Sequence, residues 1–174
     1  YAPEFEVEFE DSNAFIDEPE DGFKLTWTEG DLFSCFFNTG GNAKYKYIGE
    51  TGDYAGGIEP VASPEGTLLD TYYAVYPYNE NNELVNDKLS ITLPAEQTYA
   101  EGTFGANSNT MVAATTAEEL SYTFSNVCGY VRLKVYGEAA IKSIEFMGNN
   151  DEIIAGTADV NPATKSLDIT GGET

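Results

Sequence analysis

Glu4-Phe5-Glu6-Val7-Glu8-Phe9-Glu10 alternates apolar and acidic residues without exception. In an extended chain successive side chains point to opposite faces. Phe5, Val7 and Phe9 therefore share one face and the four glutamates the other, which predicts a half-buried β-strand with an acidic exterior. The same period returns along the chain. Phe23, Leu25 and Trp27 alternate with polar neighbours, and Glu29-Gly30-Asp31 makes a turn. Leu32 to Phe37 is apolar on both faces and predicts a central strand covered on both sides. Thr39-Gly40-Gly41-Asn42 turns the chain into Ala43 to Ile48.

Gly49 to Gly66 reads as a glycine- and acid-rich loop. Thr67 to Tyr78 regains strand character and runs into Pro77, and Leu89, Ile91 and Leu93 alternate up to Pro94. Met111 to Ala114 is a short apolar piece. Thr116-Ala-Glu-Glu119 has capping-box spacing but supports at most one helical turn. The longest predicted strand starts at Tyr122 and Phe124. It continues with Val127, Val131, Leu133 and Val135 on one face, expected to pack in the core against Leu25 or Trp27. Ile141 to Met147, Glu152 to Ala155 and Ser166 to Thr170 complete nine or ten short strands with no convincing helix. The expectation is an all-β, antiparallel β-sandwich in a single domain spanning 1–174.

Composition narrows the chemistry. The chain has 174 residues, 30 acids against 8 bases, and a formal net charge of −22. That balance excludes a phosphate-tracking nucleic-acid groove and docking on anionic lipid, both of which need clustered Lys and Arg. It also predicts copies that repel each other at low salt and associate toward the isoelectric point near 4.1. There is no histidine, which removes Ser-His-Asp and Cys-His nucleophile systems and His-ligated zinc. With 41% hydrophobic residues, ten Phe and twelve Tyr, the composition is that of a folded chain rather than a disordered one. No apolar run approaches the ~20 residues of a membrane-spanning helix. The chain opens on Tyr1-Ala-Pro-Glu, with no initiator Met or signal peptide, and reads as a trimmed or expressed fragment.

No residue set marks a reaction. Acids are so frequent that no pair singles itself out as a glycosidase dyad. Asp17 to Gly22 and Asn79 to Glu83 offer hard oxygens but lack EF-hand spacing, and read as solvated loops. No catalytic residue, cofactor or metal site is expected. Cys35 and Cys128 both fall in strand patterns. They read either as a cross-sheet bridge or as two small buried thiols. Tyr72, Tyr73, Tyr76 and Tyr78 crowd one segment, with Tyr73 opposite in parity to the other three. Rings exposed in a row would stack on sugar faces or anchor a partner; otherwise one set is core and the other shields a sheet face.

Six blocks in order carry a resemblance: Trp27-Thr-Glu-Gly-Asp31, Tyr73-Ala-Val-Tyr-Pro-Tyr-Asn79, Leu93-Pro-Ala-Glu-Gln97, Asn109-Thr-Met-Val-Ala113, Phe124-Ser-Asn-Val-Cys-Gly-Tyr-Val-Arg-Leu-Lys-Val135 and Ile141-Lys-Ser-Ile-Glu-Phe146. Their order and spacing resemble the fimbrillin-like (Mfa-like) family of Bacteroidia cell-surface proteins, from about Phe5 to Gly156. The resemblance implies a transthyretin-like β-sandwich of about 7–10 strands, matching the family's N-terminal domain, with the second domain absent from this chain. It implies a structural or adhesive subunit of a type V pilus, not an enzyme. Such a subunit is exported to the outer membrane as a lipoprotein and held there by a lipid anchor this chain lacks. Partners would be other pilus subunits, in a homo- or hetero-polymer, and a host or bacterial surface ligand.

In that family a removable first strand gives way to a strand from a neighbour. Phe5, Val7 and Phe9 match its position. The arginine at which family members are commonly cleaved has no counterpart between Asp11 and Phe23, since the only arginine is Arg132. The alternative expectation is a stand-alone surface lipoprotein domain that binds glycans through Tyr72, Tyr73, Tyr76 and Tyr78.

Overall fold

In a computed structural model the chain is described at residues 2–10, 25–99, 104–105, 108–129, 131, 133 and 135–172. Eleven strands follow one another: β1 (Phe5–Phe9), β2 (Leu32–Asn38), β3 (Ala43–Tyr47), β4 (Ala55–Ala62), β5 (Leu68–Tyr76), β6 (Glu83–Val85), β7 (Lys88–Leu93), β8 (Met111–Thr116), β9 (Ser121–Asn126), β10 (Gly156–Asn161) and β11 (Ser166–Gly171). The protein is all-β, with no helix among the described residues.

Seven strands close into a barrel in the order β1-β4-β3-β2-β5-β8-β9, and four form a separate sheet, β11-β10-β7-β6. Two features depart from the expected antiparallel sandwich. The larger sheet closes on itself, and β1 lies antiparallel to β4 but parallel to β9. A single N-terminal strand bridging two edges produces both.

Strand β2 shows why the chain packs this way. Phe33, Cys35 and Phe37 point into the barrel, while Phe36 joins Tyr73, Val75 and Val112 on the outer wall. That outer patch is covered by Leu89, Ile91, Leu93, Ala158 and Val160 of the four-stranded sheet. A strand buried on both faces has to be apolar at consecutive positions, and Phe33–Phe37 has only Ser34 as an exception. Ser34 Oγ is satisfied by Asn82 Nδ2 at 3.1 Å.

Strand β4 lies in the stretch expected to be loop. Its glycines are a packing requirement. A Cβ on Gly56 would sit 2.6 Å from Tyr47 Oη. The missing side chain lets the Tyr47 ring lie inside the barrel and donate its hydroxyl to Ala55 O at 3.1 Å. Gly49, opposite, makes room for the same ring. Strand β10 was hidden for a related reason, because its inward residues, Ala158 and Val160, are small and few.

The long strand expected from Tyr122 to Val135 ends at Asn126. Val127 is half-buried against the outer cluster, but Val131, Leu133 and Val135 are 65%, 56% and 57% exposed and do not face Trp27 or Leu25. The strand expected at Ile141–Met147 is absent too, with Ile141, Ile144, Phe146 and Met147 exposed, and Glu152–Ala155 is not a strand. Alternation is necessary for a half-buried strand, but a ladder also needs a neighbouring backbone to pair with, and no described residue of 127–135 or 141–147 is paired in a sheet. Residues 25–28 form no strand, although Trp27 is fully buried. Its backbone N donates to Asp53 O at 2.8 Å and its O accepts from Gly52 N at 2.9 Å. Phe23 and the acidic stretch Asp17 to Gly22 lie outside the described residues.

Candidate functional site

Strand β1 closes the barrel wall. Phe5 pairs with Ile58 and Val7 with Gly56 on the β4 side, while Val7 pairs with Tyr122 and Phe9 with Phe124 on the β9 side. Beyond the paired residues, Glu6 N donates to Leu120 O at 3.0 Å and Glu10 N to Phe124 O at 2.8 Å. Phe5, Val7 and Phe9 all point inward and are buried.

The inward face of β1 meets aromatic rings throughout. Phe5 lies 4.8 Å from Tyr122 and 5.4 Å from Tyr45, between ring centroids, and edge-on to Tyr72 at 6.0 Å. Phe9 stacks on Trp27 at 4.1 Å with planes 16° apart, and leans on Tyr54 at 5.5 Å. Two phenol hydroxyls fasten the ends of the strand: Tyr45 Oη donates to Pro3 O at 2.8 Å and Tyr54 Oη to Phe9 O at 2.6 Å. Offset and edge-on rings of this kind add to the burial term.

The glutamates face outward, and two of them do more than solvate. Glu8 accepts from Thr123 Oγ1 at 2.9 Å; Glu10 accepts from Ser125 Oγ at 2.7 Å and pairs with Lys165 Nζ at 2.7 Å. The hydrogen bond from Lys165, then that from Ser125, holds the Glu10 carboxyl below the usual range. Sequence reading missed Thr123, Ser125 and Lys165. The signal available was that Thr123 and Ser125 alternate with Tyr122 and Phe124, so they had to lie on the outer face beside a neighbouring strand.

Taking β1 away would leave β4 and β9 with facing rows of unpaired N–H and C=O groups. The slot between them would be floored by Tyr45, Tyr122, Trp27 and Phe124. An apolar slot with two open edges accepts an extended segment by main-chain pairing, with alternate side chains filling pockets.

The four tyrosines do not form an exposed row. Tyr72 is buried inside the barrel and Tyr73 under the four-stranded sheet. Tyr76 is half-buried against the barrel core and donates its hydroxyl to Asp31 Oδ1 at 3.1 Å. Burial, and then the Asp31 charge, raises the Tyr76 phenol far above its ordinary value. Burial likewise raises Asp31, opposed by hydrogen bonds from Thr28 N and Tyr76.

Tyr78, half-buried, is the one of the four that borders a cleft. It lines a cleft of about 270 Å³ with Val75, Pro77, Asn79, Asn82, Thr92, Pro94 and Thr110. Lys44 Nζ covers its ring at 4.7 Å from the centroid. The amides nearby are engaged in the fold: Asn79 Oδ1 accepts from Asn81 N at 2.9 Å, and Asn82 Nδ2 is spent on Ser34. Cys35 is buried and Cys128 exposed, so the two are free thiols and not a bridge. Comparison of the chain with family models, with curated proteins and with solved structures found no match.

Proposed function

We propose that this protein is a structural subunit of a cell-surface fibre, assembling by β-strand exchange at the position of β1. The observation that carries the reading is the placement of β1: a five-residue N-terminal strand inserted between two strands far apart in sequence, contributing three buried apolar side chains to an aromatic slot. A strand so placed is replaceable by a neighbour's strand of the same alternation, because the ladder on each side depends on backbone alone. The resemblance to the fimbrillin-like family points the same way. On this reading the barrel and its covering sheet correspond to that family's transthyretin-like sandwich, the partners are further subunits, and the setting is the outer-membrane surface. The activity is assembly and adhesion, without catalysis or cofactor.

The test is a protease site inserted between Glu10 and Leu25. Cleavage should release β1 and convert the monomer into a ladder of oligomers visible by electron microscopy. A synthetic peptide of residues 2–10, added in excess, should cap them. Cleaved protein that stays monomeric with unchanged melting refutes strand exchange. The glycan reading keeps one foothold, the cleft beside Tyr78. It predicts that Tyr78→Ala abolishes saccharide binding detectable by calorimetry.

A further inference from the structure

The cleft beside Tyr78 lies where the end of β5, the segment 77–82, the end of β7 and the start of β8 meet. In a chain with 30 acids, none of the cleft's described lining residues carries a charge. Two of its polar side chains are almost entirely buried: Asn82 is 2% and Thr110 5% exposed. Asn82 spends Nδ2 on Ser34 Oγ, and its Oδ1 receives no hydrogen bond from a described residue. Thr110 O accepts from Val127 N at 3.2 Å, and the Thr110 hydroxyl likewise has no partner among the described residues. Neither atom is sealed off, as the unpaired Trp27 Nε1 and Thr115 Oγ1 are, so both open onto the cleft. Polar atoms at such depth are ordinarily paired, and two in one cleft await donors and acceptors from outside the fold.

Both side chains are held in place without a ligand. Asn82 N donates to Asn79 O at 3.1 Å, and Asn42 Nδ2 donates to Asn82 O at 3.2 Å and to Asn79 O at 2.9 Å. Thr110 is fixed by its bond from Val127 at the head of β8. A site fixed by its own fold loses little freedom on binding. Around these oxygens the cleft offers apolar ring surface from Tyr78, Pro77 and Pro94, with Lys44 Nζ against the Tyr78 ring. Its volume, about 270 Å³, lies just under the roughly 300–1,000 Å³ of sites for drug-sized ligands, which suits one ring rather than an extended chain.

We infer that this cleft is a subsite for one neutral sugar ring. Asn82 Oδ1 accepts from a sugar hydroxyl, Thr110 Oγ1 exchanges a hydrogen bond with another, and the sugar's C–H surface packs on Tyr78 and the two prolines. A sugar alone brings hydroxyls that both donate and accept together with an apolar face and no charge. An acidic sugar would add to a net charge of −22 and meet no base in the lining. A proline-rich peptide packs on similar surface but lacks the N–H groups that Asn82 Oδ1 needs. The inference rests on the saccharide reading of the cleft and deepens it; it involves no residue of β1 and is independent of strand exchange.

Nuclear magnetic resonance on the intact, isotope-labelled chain tests it. The probes are galactose, mannose, fucose and N-acetylglucosamine, with glucuronic acid and a proline-rich peptide as contrasts. At least one neutral sugar should bind with millimolar affinity, the strength expected of a single small ring, and shift the amides of Tyr78, Asn82, Thr92 and Thr110. Glucuronic acid and the peptide should leave them unmoved. Thr110→Val should weaken binding about tenfold through one lost hydrogen bond. It should melt no lower than wild type, because the hydroxyl it removes has no partner among the described residues. Tyr78→Ala should abolish binding. If no neutral sugar shifts these amides, the inference and the saccharide reading both fall. Binding abolished by Tyr78→Ala but unchanged by Thr110→Val overturns the inference alone, as does tighter binding of glucuronic acid or of the peptide. A lower melting temperature of Thr110→Val overturns it too, since the hydroxyl would then be paired within the chain.

Discussion

Phe9→Ala reports directly on whether β1 is seated in the barrel wall. Phe9 is 5% exposed, stacked on Trp27 at 4.1 Å and leaning on Tyr54 at 5.5 Å. Truncating a buried Phe to Ala costs about 3–5 kcal/mol, from lost transfer free energy and the cavity left behind. Phe9 is the last residue of its strand, where neighbours can relax into the space, so the lower end applies. For a chain of this length about 3 kcal/mol corresponds to a melting temperature lower by roughly 6–12 °C. The chain contains a single tryptophan, so emission from Trp27 reads the site without labelling. Loss of its stacked partner should admit water and shift the emission to the red in the folded protein. Glu8→Ala is the control. Glu8 is exposed and loses one hydrogen bond from Thr123, so its change should stay within about 0.5 kcal/mol. Differential scanning calorimetry and fluorescence of the three proteins settle the matter. If Phe9→Ala melts with Glu8→Ala and Trp27 emission is unchanged, β1 does not occupy the slot.

Three further outcomes follow from the same geometry. Tyr76 and Tyr122 have phenols held above their ordinary value, chiefly by burial. Their contribution to stability is present below the unfolded value of about 10 and is lost as pH rises toward the folded values. Tyrosinate absorbance in the near ultraviolet should therefore rise in two stages, the second coinciding with unfolding; a single reversible stage with the fold intact contradicts the burial. Glu10 behaves oppositely. Its carboxyl lies below the unfolded value of 4.5, so its pairing stabilises above that pH and is lost as pH falls through the folded value. Lys165→Met should lower stability at neutral pH and converge with wild type in acid; equal offsets at both pH values speak against the Glu10–Lys165 pair. Cys128, exposed, should react with a thiol reagent in the native state, while Cys35, buried and with its thiol raised by burial, should wait for unfolding. Rapid modification of both thiols in the folded protein rules out the placement of β2.

Local alternation determined much of this protein. Phe5, Val7 and Phe9 could point only one way once Glu4, Glu6, Glu8 and Glu10 were exposed, and the consecutive apolar run of β2 could be accommodated only between two layers. The absence of histidine and the scarcity of bases excluded whole classes of chemistry without any structure. What alternation cannot state is which backbone a strand pairs with. The sequence of β1 holds nothing that selects β4 on one side and β9 on the other, or that makes the second pairing parallel. Those choices come from rings brought together across the barrel, with Phe5 against Tyr45 and Tyr122 and Phe9 against Trp27. The glycines of β4 carried a loop signature because their purpose, space for the Tyr47 ring, lies on another strand. Val131, Leu133 and Val135 show the converse. Their period is that of a half-buried strand, yet burial is a property of neighbours, and each of the three is more than half exposed. Period follows from the covalent order of side chains along an extended backbone, whereas pairing, closure and burial are decided by contacts between segments that only the folded chain brings within reach.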